Sequence, residues 1–164
     1  PIEFIDTAGC GFEEERHEGN RSLHNSKEGE LILKHLQELA PESTLPFSEN
    51  IGVISPYKAQ VVDLNERITE EQKTNYNLTI NTIDSFQGQE KDIIYISLVR
   101  SNENNEIGFL KDYRRMNVAM TRAKKKLVII GDSATLANDT FYSKLLDFCD
   151  ENNAYRSAWE LLYD

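Results

Sequence analysis

Between Asp92 and Val99 the sequence reads DIIYISLV, apolar at every position after the first except Ser97. A strand with one wet face alternates apolar and polar residues, because successive side chains point to opposite sides of the sheet. A strand apolar at both parities must be covered on both sides, which is the environment of an inner strand in a parallel sheet flanked by helices. IEFID at residues 2–6, IGVIS at 51–55 and LVIIG at 127–131 are further apolar strand segments, and TINTID at 79–84 adds a fifth. Helical patterns lie between them. The expected class is therefore α/β, a three-layer fold with a mostly parallel central sheet and right-handed crossovers. One domain is expected, since 164 residues with 39% hydrophobic side chains suffice for a sizeable core.

After IEFID a polar loop rich in Gly and Glu, from Thr7 to about His24, is expected to be mobile. Asn25 and Glu28 then stand three apart, the spacing of a capping box, ahead of Ile32, Leu36 and Leu39 on one helical face. Pro41 and Pro46 end that helix. Val61, Leu64 and Ile68 form the stripe of a second helix, after IGVIS. The stretch RRMNVAMTRAKKK, residues 114–126, reads as a helix with Met116, Ala119, Met120 and Ala123 as its buried stripe. On that reading Arg115 and Arg122 lie two turns apart along another edge, roughly 10 Å along the axis. Phe141, Leu145, Leu146 and Phe148 mark a final amphipathic helix.

A net charge of −10 argues against a simple basic nucleic-acid-binding module, but the charge is uneven. Residues 100–126 hold eight Lys and Arg against three Asp and Glu, a local +5 that leaves −15 for the rest. Two cysteines, Cys10 and Cys149, are too few for a disulfide framework and imply a reducing compartment, read as the cytoplasm. Cys10, His17 and His24 recur every seven residues, without the paired spacing of a zinc knuckle, so no metal site is expected. No apolar run approaches 18 residues and no leader pattern is present. The first residue is Pro, so the chain is expected to be a piece of a longer polypeptide.

In a parallel α/β sheet, ligands gather at the carboxyl ends of the strands. Three polar clusters follow strands here and are expected on one rim: Ser55-Pro56-Tyr57, Asp84 to Glu90, and Arg100-Ser101-Asn102. In TIDSFQGQEKD, Gly88 allows close backbone approach, Gln87 and Glu90 can bond a sugar or a water, and Thr82 can meet a phosphate. The same residues also suit an ordinary solvated turn. SPYKAQ can offer a hydroxyl and a helix N-terminus to an anion, or simply start a helix with Pro. The arginines suit a phosphate clamp through their planar forks, or a solvated basic face.

Taken in order on one sheet, IGVISPYKAQV, NTIDSFQGQEKDIIYISLVRSN and RRMNVAMTRAKKKLVIIGD resemble motifs IV, V and VI of the Upf-like branch of superfamily 1 helicases. The resemblance is dense over residues 51–132 and looser at FIDTAGCGFEE with Asn25 and Glu28. It implies a RecA-like fold, of the P-loop NTPase kind, paired in tandem with a second such domain. ATP would lie between the two and single-stranded DNA or RNA would run across both, with 5′-to-3′ movement. The resemblance makes Arg122 the arginine finger, with Gln87, Gly88, Glu90, Arg115 and Asn117 beside the nucleotide. It turns Ser55, Pro56, Tyr57, Thr82, Arg100, Ser101 and Asn102 towards the nucleic acid.

The departures define which half this is. None of the eight glycines is followed by Lys, so the chain has no G-x-x-x-x-G-K-[ST] phosphate loop. Its one Asp-Glu pair, Asp150-Glu151, ends the last amphipathic helix instead of a strand and is a poor Mg²⁺-binding motif; the family's Gln-Tyr-Arg segment is absent. The expectation is residues 1–164 as the second RecA-like domain, its partner the N-terminal RecA-like domain of the same polypeptide. ATP and Mg²⁺ would be held mainly by that other domain, and this chain alone would be inactive. The rival expectations are a non-catalytic RecA-like interaction module and a nucleic-acid-binding module without nucleotide chemistry.

Overall fold

The computed structural model describes residues 1–16 and 22–163. Six strands form one sheet: β1 (Ile2–Asp6), β4 (Ile51–Ile54), β5 (Leu78–Asn81), β6 (Lys91–Ser97), β7 (Ala123–Gly131) and β8 (Tyr155–Ser157). Their order is β5-β4-β6-β7-β1-β8 and every pairing is parallel. Two short strands, β2 (Glu15–Arg16) and β3 (Leu23–His24), pair apart from it. β6 lies inside the sheet, and its two parities face two cores. Ile94 and Ile96 join one with Met116, Ala119, Tyr142 and Cys149, while Ile93 and Tyr95 join the other with Leu31, Ile32, Leu36 and Leu64. The helices α1 (Ser26–Leu39), α2 (Lys58–Arg67), α3 (Glu70–Tyr76) and α7 (Ala158–Tyr163) cover the second core; α4 (Tyr113–Met120), α5 (Ser133–Leu136) and α6 (Thr140–Glu151) cover the first. This is the three-layer, RecA-like α/β architecture expected of apolar strands covered on both faces.

Several expectations are corrected. The arginine helix stops at Met120: Thr121 and Arg122 turn, and Ala123 already pairs with Lys91 as the start of β7. Arg122 is therefore not on the helix, its spacing from Arg115 is not two helical turns, and only Met116 and Ala119 of the stripe are fully buried. TINTID is a strand only to Asn81, after which Ile83–Phe86 form a 3₁₀ turn with Ile83 and Phe86 buried. β8, a sixth strand, adds to the edge beside β1. Phe148 is 52% exposed, and Tyr142 and Cys149 take the buried positions of α6.

Asn25 and Glu28 do not form a capping box. Asn25 caps α1 without a side-chain hydrogen bond, and its Nδ2 donates to Phe12 O and Val99 O instead. Glu28 is fully buried and accepts at Oε1 from Ser97 Oγ (2.7 Å) and Val99 N (3.0 Å). The reciprocal box is at Thr69 and Gln72, on the exposed start of α3. The loop after β1, expected to be mobile, is tied down over its described part, since Glu14 N donates to Ser101 O (3.1 Å) and Asn25 holds Phe12. His17 of the seven-residue recurrence lies outside the described residues. Among the described residues no group of three His, Cys, Asp or Glu side chains suits a metal.

Candidate nucleotide and nucleic-acid sites

The polar residues singled out in the sequence fall at two opposite ends of the sheet, not on one rim. Because β5 and β6 are parallel, the segment from Thr82 to Glu90 leaves the carboxyl end of β5 and must return to the amino end of β6. Thr82 and Asp84 stay at the carboxyl end, while Gln87–Glu90 finish at the amino edge. Arg122 lies there too: its carbonyl accepts from Lys91 N (2.9 Å), just before Ala123 pairs with Lys91. The length of β6, seven residues, separates the two ends by roughly 20 Å.

At the amino edge the groups are exposed. Gln87, Gly88, Glu90 and Asn117 all face solvent. Gly88 has φ +74°, with nothing within 4 Å of where a Cβ would be, so its backbone is open to close approach. Gln87, Arg114 and Arg115 line a cavity of about 150 Å³ with Asp84 and Val118. Asn117 lines a shallower hollow with Arg114, Val118 and Thr121. Arg115 reaches along the face to Asp84 (3.1 Å) and borders the cavities at both ends. Arg122 is half-buried; Nη2 donates to Thr121 Oγ1 at a long 3.4 Å, and Nε is shielded from solvent with no hydrogen-bond partner. The Arg122 side chain thus makes one long hydrogen bond and leaves a buried donor unsatisfied.

At the carboxyl end most of the named residues are internal. Ser55 is fully buried and its Oγ accepts from Tyr57 N (3.2 Å); Tyr57 is 3% exposed. One carboxylate oxygen, Glu14 Oε1, gathers the next three: Arg100 Nε (2.9 Å), Ser101 N (2.9 Å) and Asn102 Nδ2 (2.8 Å). Arg100 also donates to the Tyr57 hydroxyl (3.2 Å), and Ser101 Oγ to Asp132 (2.7 Å). Behind them Gln60 links Asn25 to Ser97, and Ser97 meets Glu28. Burial pushes the Glu28 carboxyl up to about 8, against the lowering effect of its bonds from Ser97 and Val99. This network holds Val99 at φ +71°, in a tight turn closed by Arg100 N to Leu98 O (2.8 Å). Left exposed or half-exposed on this rim are Pro56, Thr82, Asn102 and, unnoticed in the sequence, Phe109. Glu14 and Gln60 stand in segments that carry the resemblance, FIDTAGCGFEE and IGVISPYKAQV, but neither was given a role there.

The segments that surround both ends agree with known proteins. The AAA domain family matches residues 1–134. "DNA-binding protein SMUBP-2" of Mesocricetus auratus is 38% identical over 164 residues, all of this chain and 16% of that protein. "DNA polymerase alpha-associated DNA helicase A" of Saccharomyces cerevisiae is 41% identical over 160 residues, 93% of this chain and 22% of that protein. "Helicase sen1" of Schizosaccharomyces pombe is 40% identical over 136 residues, 81% of this chain and 8% of that protein. The chain belongs to the Upf-like superfamily 1 helicases. This helicase-family domain thus spans less than a quarter of the length of these relatives.

Proposed function

We propose that this helicase-family domain is the C-terminal RecA-like half of an ATP-driven motor that moves 5′ to 3′ along single-stranded DNA or RNA. Its amino edge completes an ATP site shared with an N-terminal RecA-like domain of the same polypeptide, and its carboxyl rim carries part of the strand track. The observation that supports this best is Arg122, a guanidinium with an unpartnered, shielded Nε at an exposed edge, beside Gln87, Gly88 and Glu90. In hydrolysis, water attacks the γ-phosphorus as its bond to the β–γ bridging oxygen breaks and ADP leaves; a planar fork placed at the charge-bearing oxygens of the transferring phosphoryl group stabilises the transition state more than the bound nucleotide. Arg115 and Asn117 brace the turn that presents it.

Among the described residues no group of three His, Cys, Asp or Glu side chains suits a metal, and the other domain is read as holding the Mg²⁺. At the opposite end Pro56, Thr82 and Asn102 face the nucleic acid, and Ser55, Tyr57, Arg100 and Ser101 act from beneath as its supports. Strand contacts there are read as mainly to backbone and sensitive to salt. The two cysteines are free thiols, as the cytoplasm allows, and no described helix is long and apolar enough to cross a membrane.

The test is ATP hydrolysis by the purified 164-residue chain, with and without single-stranded oligonucleotides. Half a cleft neither excludes water nor positions the metal, so no stimulated turnover above background is expected. Robust turnover would overturn the two-domain reading.

A further inference from the structure

Phe109 stands out on the carboxyl rim because it is 59% exposed yet firmly held. It belongs to the 3₁₀ turn Gly108–Lys111, which is pinned on both sides: Ile107 is 3% exposed, Leu110 is fully buried, and the Tyr142 hydroxyl donates to Leu110 O (2.5 Å). One side of the Phe109 ring is stacked on Tyr57, with centroids 5.2 Å apart and planes 26° from parallel. Tyr57 is itself fixed, its hydroxyl held by Arg100 (3.2 Å) and its ring 5.9 Å from the Arg100 guanidinium. Gly108 lets this assembly close, since a Cβ there would collide with the Arg100 guanidinium. The chain thus keeps a large apolar ring in water and supports it from behind by a buried aromatic and a buried cation.

The space beside that ring is a cavity of about 430 Å³ that Phe109 shares with Pro56, Lys58, Thr82, Asp84 and Arg115. The lining has three chemistries at once: a flat aromatic face and a pyrrolidine, a hydroxyl, and two cations, of which Arg115 is already paired with Asp84. An aliphatic ligand would use neither the flat face nor the cations, and a simple anion would not use the ring. A nucleotide of a single strand uses all three, with its base against the ring and its phosphate towards Lys58 or Arg115. We propose that Phe109 is a stacking platform for one nucleobase, so that the carboxyl rim grips a base as well as the backbone. This rests on the reading of that rim as the strand track.

The test is an NMR titration of the 164-residue chain at low salt with oligothymidylate and with an abasic oligonucleotide of equal length. Stacking predicts upfield ring-current shifts of thymine protons and shifts of the Phe109 ring with oligothymidylate alone. Phe109→Ala should weaken oligothymidylate binding by roughly 5- to 150-fold, the range of one base–aromatic stack, and leave the abasic affinity within about twofold. Phe109→Trp should retain the preference. Unchanged thermal unfolding of the Ala variant verifies that the loss is local. Equal weakening for both oligonucleotides, or none for either, overturns the stacking role while leaving the strand track standing. Failure of the unaltered chain to bind either oligonucleotide removes the track and the platform together.

Discussion

The arginine turn at the amino edge and the buried network behind Val99 are equally polar and are built on opposite terms. The network is closed: Asn25, Glu28, Gln60, Ser97 and the Val99 peptide satisfy one another through bonds of 2.7–3.1 Å, with only Glu28 Oε2 left over. The turn is open: Gln87, Gly88, Glu90 and Asn117 face solvent and Arg122 has a single long bond. A closed network spends its hydrogen bonds on the fold, so damage to it should register as lost stability. An open set leaves them for a partner, and damage should register as lost function at unchanged stability.

The largest expected effect is at the open end. In the longer polypeptide proposed above, Arg122→Ala should lower kcat by about 10³- to 10⁵-fold, the range for arginine fingers, with unfolding temperature nearly unchanged. Arg122→Lys should restore little, because a point charge lacks the planar fork. Nucleotide affinity, measured separately, should fall far less than turnover. A variant that keeps most of its turnover would show that the open turn is only a solvated surface.

The next effect is at the closed end and is readable by pH. Burial raises the folded pKa of Glu28 from 4.5 to about 8, so the native state holds its proton more tightly than the unfolded chain does. This contribution to stability is present in full below pH 4.5 and is lost as pH rises through about 8, by about 3–5 kcal/mol. Glu28→Gln should flatten that part of the profile, which denaturant unfolding of both proteins at pH 5.5 and 8.5 would measure. Glu28→Ala should cost about 2–4 kcal/mol at the lower pH, because the Val99 N–H and Ser97 hydroxyl lose their acceptor in the interior. Parallel pH profiles for Glu28→Gln and the unaltered chain would break the contrast.

The smallest effect belongs to the ion pair between the two ends. Arg115 and Asp84 are 3.1 Å apart but 39% and 76% exposed, so Asp84→Asn should change stability by less than about 0.5 kcal/mol. A loss above 1 kcal/mol would show the pair to be part of the closed network.

The sheet was largely legible because its signal is local: IEFID, IGVI and LVIIG appear as strands, and DIIYIS accounts for nearly all of another. The errors arose where a distant partner overrode a local pattern. Met116, Ala119 and Met120 do follow the helical period, and Ala123 continues it by coincidence. Pairing of Ala123 with Lys91 ends the helix, and no helical periodicity encodes that ladder. Asn25 and Glu28 have the spacing of a cap, but β6 and its end bring competing partners from about 70 residues away, an acceptor for Asn25 and donors for Glu28. Where no such competitor arrives, at Thr69 and Gln72, the cap forms. β8 is three residues of mixed polarity, with no pattern to read. The site residues were named through the resemblance; their division between two ends of the sheet follows from β5 and β6 being parallel, which spacing alone does not specify.

Val99 also narrows what this position can become by mutation. Four non-glycine residues among those described have positive φ, and the other three, at 77, 105 and 153, are all Asn, a residue the left-handed region tolerates. A substitution library at 99 would therefore face opposed filters. Gly relieves the backbone but empties a fully buried position; Asn suits the backbone but introduces an amide into the apolar core beside Ile96 and Leu98; Ile overfills it. Valine survives as the least bad occupant of a site whose geometry was settled by its neighbours, and the sequence space open to it is about as small as one residue type.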